Sequence, residues 1–110
     1  MIKASSKQYI LDVLEHIDKK DEDLFMKNSL LSLEDQGAMI IGMPSLESQI
    51  YASPQSKAGH VNCKSGEDLK AFARKYFHNV FMFSMNDEAI HTGFFPMSHY
   101  LIAVCAGKIS

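Results

Sequence analysis

The sequence predicts an α+β domain, a mostly antiparallel sheet of about five short strands with two to three helices packed on one face. Three observations support that prediction. Two capping-box signatures each precede a stretch of helically spaced apolar residues, short apolar runs are cut by Pro, Gly and Asn-Asp breaks, and three strand-like runs follow one another at the C-terminal end.

In chain order, Ser5 with Gln8 has capping-box spacing, and Ile10, Val13, Leu14 and Ile17 then fall at i, i+3, i+4 and i+7. That spacing puts four apolar side chains on one stripe and predicts a helix over 6–19. The acidic run Asp21, Glu22 and Asp23 suits a second helix start, where negative side chains meet exposed amides. Leu24, Phe25, Asn28 and Leu31 share a face of that helix, and Gly37 offers a left-handed stop. Two short apolar runs, 38–43 closed by Pro44 and 48–52 closed by Pro54, read as a strand pair, with a loop over 53–59.

Ser65 with Asp68 repeats the capping box, and Leu69, Phe72, Ala73, Tyr76 and Phe77 continue as a helical stripe, predicting a helix over 66–78. Strand formers over 80–85, the turn residues Asn86 and Asp87, and a second run over 88–92 predict a hairpin. The nearly continuous apolar run 99–106 reads as a strand buried on both faces. No stretch repeats another, and the 110 residues are expected to form a single domain, 1–110, able to bury about two-thirds of its unfolded surface.

Composition narrows the function classes. With 46% hydrophobic and 22% charged residues the chain has ordinary globular usage. Thirteen acidic against eleven basic side chains give a net charge of −2, and Arg74 is the single arginine, so the phosphate-reading stripe of a nucleic-acid binder is missing. Cys63 and Cys105 make no disulfide framework, and no apolar run approaches the roughly 20 residues of a membrane span. No secretory h-region follows Met1, so the expected location is cytoplasmic.

No P-loop, dinucleotide-binding glycine motif or nucleophile elbow is present, so the sequence designates no catalytic residue, metal ligand or cofactor. Cys63 lies two residues before a predicted N-cap with His60 and Lys64 close by, a setting that could favour a thiolate. The C-terminal third is crowded with bulky apolar groups, and 93–97 is a turn-like segment carrying Phe94, Phe95 and Met97.

The leading expectation is therefore a non-enzymatic protein-binding module, such as an intracellular inhibitor or immunity-type protein neutralising a partner with a basic surface. Phe94, Phe95 and Met97 would form its centre, with Asp87, Glu88, Asp21 and Glu22 as rim charges. The alternative is a small enzyme or a ligand- or metal-binding domain gathering His60, Cys63, His91 and His99. A third expectation is a self-associating domain, a homodimer paired through a strand such as 80–85.

Overall fold

Residues 4–51, 53–86, 89–91 and 99–109 are described by a computed structural model of the chain. Sequence order runs β1 (Ser5–Leu11), a 3-10 turn (Leu14–His16), α1 (Lys19–Leu30), β2 (Leu33–Pro44), a second 3-10 turn (Glu47–Tyr51), α2 (Pro54–Gly59), α3 (Gly66–Arg74), β3 (Phe77–Asn86), β4 (Ala89–His91) and β5 (Tyr100–Lys108). The class is α+β, and the sheet is mixed, in the order β1-β2-β5-β3-β4 with the three-residue β4 at its edge. β1 runs parallel to β2, while β2–β5, β5–β3 and β3–β4 are antiparallel.

The expected first helix is instead β1. Its residues alternate, with Ile10 turned to the core and Lys7, Tyr9 and Leu11 turned outward, and Ser5 donates its amide to the Ser32 carbonyl at 2.8 Å rather than capping a helix. The apolar residues at helical spacing belong to two structures: Ile10 to the strand, Leu14 to the 3-10 turn. Between them Asp12 takes a left-handed conformation, φ 58°, which a short polar side chain tolerates, and its amide bonds the Gly42 carbonyl at 3.0 Å. Pairing with a strand more than twenty residues downstream satisfies the β1 backbone and overrides local periodicity.

Four further expectations are corrected. β2 runs through Gly37, which ends no helix; an added Cβ there would meet Leu33 at 2.7 Å and the Ser6 carbonyl at 3.0 Å. The run 48–52 makes no strand with 38–43, because Glu47–Tyr51 is a 3-10 turn. Pro54, with its φ preset for a first helical position, opens α2 within the expected loop 53–59. β5 is the central strand but not equally buried: Leu101, Ala103 and Cys105 are sealed in the core, while Tyr100, Ile102, Val104 and Ala106 on the other face are half-buried.

The hairpin forms as expected, and the C-terminal helix starts as expected but ends at Arg74: Phe77 and His78 leave the expected helix 66–78 and open β3, where Phe77 pairs with Lys108 of β5. Ser65 Oγ accepts the Asp68 amide at 3.2 Å at the start of α3, and Asn86 pairs with Ala89 and Met85 with Ile90 across the hairpin. Ser65→Ala should cost about 1 kcal/mol of stability, read from the urea midpoint at unchanged m-value.

One layer of helix covers one face of the sheet. Met26 and Leu30 of α1 and Leu69, Phe72 and Ala73 of α3 pack with Met39, Ile41 and Met43 of β2, Val80 of β3 and the inward residues of β5. Among the described residues no helix is long and apolar enough to cross a membrane.

Candidate functional site

Two features stand out once the fold is in place: the outer face of the sheet and a cluster of ligating side chains at the end of β1. On the outer face the register aligns four cross-strand rows, three of them apolar. Tyr9, Ile40, Val104 and Phe81 form one, Leu11, Gly42, Ile102 and Phe83 the next, and Pro44, Tyr100, Met85 and Ile90 the third. An antiparallel sheet covered on one side ordinarily turns polar residues outward. Here three of the four outward rows are apolar, with Tyr9 and Phe81 each 57% exposed and Ile90 62%, while the fourth, Lys7, Ala38, Ala106 and Asn79, carries polar residues at its two ends. Gly42 lets neighbouring side chains close over the middle row: an added Cβ would come within 2.6 Å of the Tyr100 hydroxyl and 2.9 Å of the Leu11 side chain, which would have to shift.

The ligating cluster is built by the chain reversal after β1. Asp12 turns the backbone, Leu14 anchors the 3-10 turn in the core, and the neighbouring Glu15 is carried inward to 1% exposure while His16 stays half-exposed. From the other side, the segment after α2 returns His60 to the same place. The Asn62 amide bonds the Glu15 carbonyl at 3.0 Å, and the His16 and His60 rings meet edge to face with centroids 4.9 Å apart. One ligating atom from each of Glu15, His16 and His60 lies within 4.8 Å of the other two.

Both imidazoles are held by their Nδ1 atoms, His16 at 2.7 Å from the Gly59 carbonyl and His60 at 2.9 Å from Gln49 Oε1. Burial is the main force pushing the Glu15 carboxyl up from its ordinary value, with Asp12 adding to it, while its own amide and the two histidines oppose. Glu15 Oε1 has no hydrogen-bond partner among the described residues. A cleft of about 390 Å³ opens beside the cluster, lined by Gln49, His60, Asn62 and Cys63 among others.

Of the histidine and cysteine residues read together from the sequence, the structure brings His60 and Cys63 to one cleft. His99 lies at the start of β5, its amide on Asn86 Oδ1 and its carbonyl on the Ser45 amide, outside the ligating group. His91 has its backbone in β4 opposite Ser84, and its side chain is outside the described set. Cys63 does not sit in a thiolate-favouring environment: burial, and then the Glu15 carboxylate, push its thiol up. Glu15 and His16 fall off the apolar stripe Ile10, Val13, Leu14 and Ile17 of a helix over 6–19, so the sequence offers no signal for them; only the reversal after β1 turns Glu15 inward.

The expected protein-binding residues divide similarly. Phe94, Phe95, Met97, Asp87 and Glu88 lie outside the described residues. Asp21 is exposed in the first turn of α1. Glu22 is paired within the chain: its Oε2 accepts from Asn62 Nδ2 at 2.6 Å and Lys64 Nζ at 3.0 Å, with both charged side chains largely buried.

No protein-family model matches the sequence, and no curated protein matches it. Among solved structures, the chain is similar to the crystal structure of the small RNA methyltransferase HEN1, with a TM-score of 0.70 over 96% of this chain at 16% identity. The matched region is 14% of that protein's chain, so the likeness is one of fold.

Proposed function

We propose that this domain is a protein-binding module that docks through the open face of its sheet, and that the occupant of this face is a second copy of the chain. The single observation behind this reading is the apolar outward set, from Tyr9 and Leu11 across to Phe81 and Ile90. Three rows at a two-residue spacing over four strands project to roughly 400 Å², the size of the largest apolar patch on a typical domain, which is often functional.

A second copy suits this surface because its three apolar rows contain no charged side chain, the nearest charge of the adjoining row, Lys7, lying on the edge strand β1. An isologous contact places each patch on its own copy, so identical charges would be forced together if the patch held any. Two such faces packed about 10 Å apart would also give a helix–sheet–sheet–helix stack.

Size-exclusion chromatography with light scattering on the full chain tests the proposal. A dimer is expected, and Phe81→Lys should raise its dissociation constant at least about a hundredfold, since each two-fold contact would bury two new ammonium groups. The far-UV spectrum should not change. A chain that is monomeric at its highest soluble concentration would overturn the reading.

A further inference from the structure

We propose that Glu15, His16 and His60 form a binding site for a divalent metal ion of the zinc type, with at least one coordination position left open toward the cleft lined by Cys63. The donor set is two imidazoles and one carboxylate, a combination that zinc accepts and that characterises sites with three protein ligands and a free fourth position.

The geometry is near that of a formed site. Bonds of about 2.0–2.1 Å in a tetrahedron place ligand atoms about 3.3 Å apart. The three atoms here lie within 4.8 Å of one another, with Glu15 Oε2 3.8 Å from His16 Nε2. Small side-chain rotations close the remainder, and both imidazoles sit on loop or turn segments.

The outer hydrogen bonds already have the form a metal site requires. A ligating histidine usually donates its other ring N–H to a carbonyl or carboxylate, which fixes the neutral tautomer and aims the free lone pair. The Gly59 carbonyl and the Gln49 amide oxygen are acceptors for Nδ1 of His16 and His60, so Nε2 of each ring carries the lone pair available to a metal.

An independent observation comes from Glu15. A buried carboxylate oxygen with no donor loses the hydration it had in the unfolded chain and regains nothing from the protein. Glu15 Oε1 is in that position among the described residues, and the residue is 1% exposed. A cation between Glu15 and the two rings would supply what no protein donor does. An ordinary buried glutamate would simply remain protonated, and metal titration separates the two cases.

The test is titration of the chelator-treated full chain with Zn²⁺ by calorimetry and with Co²⁺ by visible absorption. One ion per chain is expected, with ligand-field bands of four- or five-coordinate Co²⁺. Glu15→Gln, close in shape, and His16→Ala, at a half-exposed position, should each weaken Zn²⁺ binding at least about tenfold. Gln49→Ala should weaken it less and leave the stoichiometry unchanged, as for a positioning residue. Absence of binding, or binding equally tight in Glu15→Gln and His16→Ala, would overturn the proposal; the fold of each variant is checked by its far-UV spectrum. Repeating the titration on Phe81→Lys keeps this result separate from the oligomeric state.

Discussion

Glu22→Leu should destabilise the domain by about 3–5 kcal/mol, a large share of the roughly 5–15 kcal/mol typical of a domain. The Lys64 side chain is 8% exposed and its ammonium has Glu22 Oε2 at 3.0 Å, Asn62 Oδ1 at 3.4 Å and the Phe72 ring centroid at 4.7 Å. The cation–π contact and one amide oxygen cannot replace a lost carboxylate, so the substitution leaves a buried charge without its counter-ion. Adding Lys64→Met should recover most of the loss, because a buried pair exchanged for apolar groups of similar volume is often neutral. Urea denaturation of the two single variants and the double variant reads the coupling. A loss below about 1 kcal/mol for Glu22→Leu would mean that the pair behaves as if it were solvated. The pair also bears on the ligating cluster: it ties α1 to the segment 62–64 that follows His60, and Asn62 of that segment bonds Glu15 and Glu22 alike.

The second large effect distinguishes two phenylalanines four residues apart on one strand. Phe77→Ala should cost about 3–5 kcal/mol, since the side chain is 1% exposed in the core and its removal leaves a cavity. In thermal unfolding this corresponds to a drop of about 10 °C or more. Phe81→Ala, on the outer face, should change the stability of the monomer by no more than about 1 kcal/mol and should instead weaken self-association. Equal losses at the two positions would show that the outer face is covered within the same molecule.

These pairs also mark what could be read from the chain beforehand. The start of the helix expected over 66–78 was legible because Ser65, Asp68 and the stripe Leu69, Phe72 and Ala73 act within two turns, where local geometry settles the outcome; its end at Arg74 was not, because Phe77 and His78 are drawn into β3. The hairpin at Asn86 was legible for the same local reason. β1 was not: Ile10, Val13, Leu14 and Ile17 satisfy helical spacing, and only the parallel pairing with β2 and the left-handed Asp12 divide them between a strand and a turn. The same step hid the candidate site, since Glu15 and His16 are neighbours in sequence that face different surroundings only after the reversal.

The sequence alone determined the α+β class, the start of the C-terminal helix, the hairpin at Asn86 and a C-terminal third rich in bulky apolar side chains. Those properties depend on composition and on contacts within a few residues. Tertiary structure decided the parallel pairing of β1, which face of β3 and β5 is open, that Glu22 is spent on Lys64, and that Glu15 meets His16 and His60. Each of these is a contact between segments distant in the chain, and its free energy depends on what the partner segment buries or leaves exposed.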